Sequence, residues 1–313
     1  MEKEKLIAVN PAKAAAATNV FEPGRLSVNV FKVEKSNASS SPPKTLLIVT
    51  PTAAGSYPVL LFLPGFCICN YSYSLLLRHI ASHGFIVVAP QLYICPLTSG
   101  TEEVQSAGTV TNWLSAGLQS NLPENVTANL QKLALSGHSR GGKAAFALAL
   151  GYAEPTLKFS ALLGLDPVAG VFSETDPKIL TYQAHSFNLS MPVAVIGTGL
   201  GDEQKCCLVP ACAPNGLNHE EFFRECKAPC SYFVAKDYGH MDMLNDPAAK
   251  LGSCVCASGK GAKDLFRMCL GGLFVAFLRA YLEDDNADFK AILEDPSIAP
   301  VTLDPMIYMS EDN

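Results

Sequence analysis

The segment Gly137-His138-Ser139-Arg140-Gly141 sets a serine between two glycines, after the apolar run Leu133-Ala-Leu-Ser136 and before an alanine-rich stretch that starts at Gly142. Small residues two positions to either side let an incoming strand and an outgoing helix approach each other, so the serine can occupy a sharp turn with its hydroxyl exposed. A serine so placed suits acyl transfer, because its Oγ can attack an ester carbonyl while amides at the helix N-terminus face the developing oxyanion. Ser139 is therefore read as a nucleophile.

A serine hydroxyl is weakly nucleophilic and needs a base within reach, which in turn needs an acid to orient it. Behind an elbow of this kind the acid and then the histidine follow along the chain. His185, His219 and His240 lie downstream. His185 stands in a polar run before Pro192 and His219 in the charged stretch Asn218-His-Glu-Glu-Phe222, so both are expected at the surface. His240, in the glycine-bearing loop Asp237-Tyr-Gly-His-Met-Asp242 after the last expected strand, is read as the base. For the acid, Asp166 closes the run Ser160–Leu165, whereas Asp202 and Glu203 follow the run Val193–Gly197. Generic topology leaves both positions open, with Asp166 favoured because it stands directly at its strand end. Two amides must receive the oxyanion. They are expected from Arg140, immediately after the nucleophile, and from Phe66 in the loop Pro64-Gly-Phe-Cys67.

These residues require a scaffold that gathers strand ends on one side. Pro58–Leu63 and Phe85–Pro90 are continuous apolar runs, as in strands buried on both faces, and Tyr73–His83 between them has helical spacing. Together they make a βαβ unit with parallel strands. Gly24–Val33 and Lys44–Thr50 read as an antiparallel pair. Thr101–Gly117, Gly142–Gly151 and Ala262–Leu282 read as helices. Leu130–Leu135, Ser160–Leu165, Val193–Gly197 and Ser231–Val234 read as strands, the last of them closing the sheet. Residues 1–20 are expected to be weakly structured and residues 21–313 to form a single α/β domain, a mostly parallel central sheet with helices on both faces. A cap or cysteine-rich insertion is expected at 199–230.

Composition is consistent with that scaffold. Of 313 residues, 49% are apolar and only 17% charged, which excludes a disordered chain or a coiled coil. With 23 basic against 29 acidic residues and no basic tract, a nucleic-acid partner is not expected. Uninterrupted apolar runs stay well below the roughly 18 residues of a membrane span, so no transmembrane segment is expected. The opening Met1-Glu-Lys-Glu-Lys5 lacks the apolar stretch of a secretory signal, and its acids are atypical of a transit peptide. Eleven cysteines include Cys67, Cys69 and Cys95, a crowd at Cys206, Cys207, Cys212, Cys226 and Cys230, and Cys254, Cys256 and Cys269 behind. Their spacings suit a structural zinc poorly, and no metal site is expected. One or two disulfides within Cys206–Cys256 are expected if the compartment is oxidising.

Four segments carry a more specific signal: Leu63-Pro-Gly-Phe66, His83-Gly-Phe-Ile-Val-Val-Ala-Pro-Gln-Leu92, Gly137-His-Ser-Arg-Gly-Gly-Lys143 and Leu165-Asp-Pro-Val168. The chain resembles the plant chlorophyllases from about Gly24 to Leu282. The resemblance implies a single α/β-hydrolase domain with Ser139 as nucleophile, Asp166 as acid and His240 as base, and it is the resemblance that selects Asp166. It further implies hydrolysis of the ester between phytol and the propionate side chain of chlorophyll, with no cofactor. Magnesium would arrive inside the substrate's macrocycle. A general carboxylesterase or lipase shares the same triad and stays open as an alternative, and a non-catalytic binding protein on the same fold is disfavoured by the intact triad. The substrate would come from a membrane or pigment complex, in the chloroplast or in an extraplastidic compartment such as the cytosol. A flat macrocycle with a C20 tail needs a wide apolar cleft. Expected walls are Phe66, Ile68, Tyr71, Leu92 through Leu97, and the Val168–Phe172 loop, with Met241 and Met243 beside the histidine. Oligomeric state is not legible.

Overall fold

The structure, a computed structural model, describes residues 19–36, 40–92, 99–205 and 209–310. Cys95 and the rest of the wall expected at 93–97, Cys206 and Cys207, and nearly all of the stretch expected to be weakly structured at 1–20 lie outside the described residues.

Among the described residues the apolar runs become nine strands: β1 (Val28–Val33), β2 (Leu46–Pro51), β3 (Gly55–Leu63), β4 (Ile86–Pro90), β5 (Val126–His138), β6 (Ala161–Leu165), β7 (Val193–Thr198), β8 (Cys230–Ala235) and β9 (Leu303–Met309). They form one sheet in the order β1-β2-β4-β3-β5-β6-β7-β8-β9. The strands from β4 to β8 in that order pair in parallel, and β1, β2 and β9 join antiparallel at the two sides. Helices cover both faces, as the α/β-hydrolase fold requires. They are α1 (Ser74–Ser82), α2 (Gly100–Trp113), α3 (Arg140–Ala149), α4 (His219–Glu225), α5 (Asp246–Gly252), α6 (Lys263–Leu282) and α7 (Ala287–Glu294).

Burial on both faces explains the unbroken apolar strands. Along β3, Leu60 and Phe62 join the core beneath α1, α6 and α7, while Val59, Leu61 and Leu63 join the core beneath α2, α3 and α4. The period-2 alternation of a strand thus serves two cores at once. Val20 and Phe21 already pack into the first core, where the His79 ring nitrogen donates to the Val20 carbonyl at 2.8 Å. Val20, the last residue of the stretch expected to be weakly structured, is thus packed into the core. Helix α6 is 20 residues long and apolar enough to span a bilayer by composition, yet most of it is buried within the fold.

The last strand is β9, not β8. Its sequence Leu303-Asp-Pro-Met-Ile-Tyr-Met309 carries a proline, which cannot donate to a ladder and so argues against a central strand. On an outer strand that missing donor is tolerated, and β9 pairs on one side only.

Candidate active site

The parallel pairing aligns the C-terminal ends of β3, β5, β6, β7 and β8, and each end leads into a loop that contributes to one site. Strand β5 ends at His138 and α3 begins at Arg140, leaving Ser139 alone to make the turn, at φ 56° and ψ −128°. That backbone is strained for a residue with a side chain, and strain of this kind collects at functional sites. A methyl on Gly137 would strike the backbone of Gly141, and one on Gly141 would strike the carbonyls of Leu63 and Pro64. The two glycines are therefore fixed by close backbone approach. The elbow is also tied to its neighbour: the Ser139 amide donates to the Leu165 carbonyl at 3.0 Å, and the Val168 amide donates to the Ser139 carbonyl at 3.1 Å.

The structure brings Ser139, His240 and Asp166 into one hydrogen-bonded line. Ser139 Oγ lies 2.8 Å from His240 Nε2, and His240 Nδ1 lies 2.7 Å from Asp166 Oδ2. Because a carboxylate only accepts, Nδ1 carries the hydrogen and Nε2 is left to take the serine proton. Asp166 is fully buried and also accepts from the Thr198 amide at 3.2 Å and the Thr198 hydroxyl at 2.6 Å. Burial alone would raise its pKa. The hydrogen bond from His240, reinforced by the neighbouring histidines and Thr198, overcomes this and holds the carboxyl at about 2. Asp202 and Glu203 are exposed, and the structure does not place either on the histidine.

The loop that carries His240 is braced from beneath. Buried Asp242 accepts from the amides of Gly239 and Gly259 at 2.8 and 2.7 Å and from the Ser258 hydroxyl at 2.6 Å, and it pairs with Lys263 at 2.7 Å. Arg140, first in α3, pairs with buried Glu103 through two contacts of 2.6 and 2.8 Å and lies over the Phe66 ring at 4.9 Å. The two residues expected to supply the oxyanion amides are thus stacked on each other, both at the cleft that contains Ser139.

That cleft has a volume of about 520 Å³ and mainly apolar walls. Phe66, Ile68, Val168 and Met241 line it as expected from sequence. Other expected wall residues do not. Leu92 is only 2% exposed and belongs to the core beneath α2 and α3, because it follows directly on a doubly covered strand; Met243 is buried in the opposite core. Tyr71 and Phe172 stand outside the lining, 51% and 87% exposed. Besides Thr175, the lining residues that sequence reasoning did not name as walls come from two distant segments, Val209–Cys212 and Val255–Cys256, joined by the disulfide Cys212–Cys256. The cysteine crowding was a signal for this wall, although spacing could not choose the pair.

His219 is not at the surface. Asn218 caps α4, which turns Glu220 outward and buries His219 with Phe222 three residues on. His219 Nδ1 lies 2.7 Å from the Tyr232 hydroxyl and its Nε2 lies 3.7 Å from Asp166 Oδ1, so a second histidine backs the acid. Sequence reasoning missed it because the charged neighbours concealed a one-sided helix. His185 is exposed. Among the described residues no cluster of side chains suited to a metal is present.

Comparison with known proteins gives a uniform result. A family model described as chlorophyllase matches residues 16–310. Chlorophyllase-1 of Arabidopsis thaliana is 49% identical over 301 residues, covering 93% of this chain and 93% of that protein. A protein of Citrus unshiu named Chlorophyllase-1, chloroplastic, is 49% identical over 309 residues, 96% of this chain and 91% of its own. Chlorophyllase-2 of Arabidopsis thaliana is 45% identical over 299 residues, 89% and 93% of the two chains.

Proposed function

The chain belongs to the chlorophyllase family, and from that membership and the geometry of its site we infer a serine esterase that cleaves the phytyl ester of chlorophyll to chlorophyllide and phytol. The observation that carries the reading is the unbroken line Ser139–His240–Asp166 at an apolar cleft.

The line of hydrogen bonds from Ser139 through His240 to Asp166 supports an acyl-enzyme route. Ser139 Oγ attacks the ester carbonyl as its proton passes to His240 Nε2, and the amides of Phe66 and Arg140 receive the oxyanion. Asp166 stabilises the imidazolium through Nδ1 without itself taking the proton. The imidazolium then protonates the phytol oxygen as that bond breaks, leaving chlorophyllide esterified to Ser139. Water activated by His240 releases it. The apolar walls accept the hydrocarbon near the ester. No resident cofactor enters any step.

The substrate's tail belongs in lipid, and the mouth of the cleft is dressed accordingly. Val171 and Val255 line the cleft while being 44% and 45% exposed; Phe172, next to Val171, and Leu251, four residues before Val255, are 87% and 75% exposed. This rim supports delivery of chlorophyll from a membrane or pigment complex. A chloroplast location would supply both the substrate and such a surface, and two relatives are named chloroplastic; an extraplastidic compartment such as the cytosol is the alternative.

Product analysis tests the reaction: incubation with chlorophyll should release chlorophyllide and phytol. Ser139→Ala should stay folded by circular dichroism and lose turnover by roughly 10⁴-fold. A short soluble ester hydrolysed with a higher kcat/KM than chlorophyll would favour the general carboxylesterase. A methyl ester of the same macrocyclic acid should show a raised KM with a smaller change in kcat, since each methylene removed from water contributes about 0.8 kcal/mol to binding. Dispersed monomeric substrate is required for that comparison.

A further inference from the structure

The residue between the glycine and the serine of the elbow, His138, has a role that the ester chemistry does not account for. Its side chain is fully buried at the end of β5, and neither ring nitrogen reaches the cleft. Nε2 lies 3.0 Å from the backbone carbonyl of His240, and Nδ1 lies 2.7 Å from the Tyr73 hydroxyl. The same hydroxyl receives the Gly65 amide at 2.9 Å.

The protons in this chain can be assigned from acceptor chemistry alone. The His240 carbonyl can only accept, so His138 Nε2 carries hydrogen and donates to it. In a neutral imidazole Nδ1 then accepts, and Tyr73 must donate to it. The Tyr73 oxygen, having given its hydrogen to His138, accepts from Gly65. Every donor and acceptor is matched in one direction: Gly65 N–H to Tyr73 O–H to His138, and His138 N–H to the His240 carbonyl. A second proton on His138 would set a donor against the Tyr73 hydrogen. Burial, aided by the neighbouring His240, keeps that proton off by pushing the pKa down to about 3.

The chain connects the loop of Gly65 and Phe66, the elbow, and the backbone of His240. The His138 and His240 rings are also in contact, with centroids 4.6 Å apart. We propose that His138 is a positioning residue that works with Tyr73: the pair sets the spacing between the oxyanion-binding loop and the base, with Ser139 fixed next to His138 by the peptide bond. The histidine's two opposed nitrogens, one accepting and one donating, suit this bridge between two loops. The inference rests on the roles given above to Ser139 and His240, and the test separates the two.

The test uses the full chain with p-nitrophenyl butyrate, a soluble ester that does not depend on recognition of phytol or macrocycle. Ser139→Ala provides the reference: wild-type rates in that variant would remove the nucleophile reading itself. With that control passed, Tyr73→Phe, which removes only the hydroxyl, and His138→Phe, which puts a somewhat larger apolar ring in place of the imidazole, break the chain at different points and should each lower kcat tenfold or more with KM within twofold. The double variant should be no slower than the slower single one, because both break the same connection. His138→Gln, which retains one donor and one acceptor, should recover most of the loss seen with His138→Phe. Thermal melts monitor folding, and if His138→Phe does not fold, Tyr73→Phe alone decides. A folded Tyr73→Phe with kcat within twofold of wild type would overturn the proposal. So would losses that multiply in the double variant.

Discussion

Asp166 combines full burial with a low pKa, and that combination has a measurable signature. Its carboxyl titrates at about 2 in the folded chain, against roughly 4 for an unperturbed aspartate. Between those values the unfolded chain binds the proton first, so the ionised form stabilises the fold by about 2 kcal/mol above pH ~4 and that contribution is lost as pH falls through 2. The stability difference between wild type and Asp166→Asn in thermal melts should therefore shrink as pH falls from 4 toward 2. A difference that does not shrink at low pH would mean that the carboxylate is not the stabilising form. The acid was also the position that residues alone left open. Asp166 and Asp202 both follow a strand, and what distinguishes them is Thr198, whose amide and hydroxyl at the end of β7 hold Asp166 toward His240. No local pattern around Asp166 announces a partner 32 residues away.

At the scale of elements, the elbow depends on how closely α3 can approach the end of β3. A methyl at Gly141 would meet the Leu63 and Pro64 carbonyls, which are backbone and cannot rotate aside. Gly141→Ala should destabilise by about 2 kcal/mol or more and lower esterase activity in the folded fraction, read by denaturant melts and active-site titration. Wild-type stability would show that the two backbones can separate freely. The same scale explains which elements the sequence revealed. Strands β2 to β8 announced themselves as apolar runs where both faces are covered, which for β5 is the half from Leu133 onward, its less buried start at Val126 going unread, and α6 as a long apolar stretch for the same reason. Short helix α4 and strand β9 were concealed, the one by its outward glutamate, the other by Pro305. The cleft wall around Cys212 and Cys256 was only half legible, since crowding of cysteines marks a stapled region without naming the pair.

Across the whole molecule, the exposed apolar residues near the cleft bear on the proposed delivery of substrate from lipid. Phe172 is 87% exposed and outside the lining, so Phe172→Asp should leave hydrolysis of a dispersed short ester within about twofold. It should reduce cleavage of chlorophyll held in lipid vesicles several-fold, an effect read from rates against vesicle concentration. Equal losses on both substrates would place Phe172 in the chemistry rather than at the rim. The pairing of β8 with β9 has a different consequence, one that concerns synthesis. Strand β8, six buried residues ending just before the loop of His240, is translated well before the strand that covers its free side. Until β9 arrives, the nascent chain presents an unpaired, largely apolar edge, open to joining another chain by the same hydrogen bonds. The β8 edge is thus the point at which a growing polypeptide would most need a chaperone.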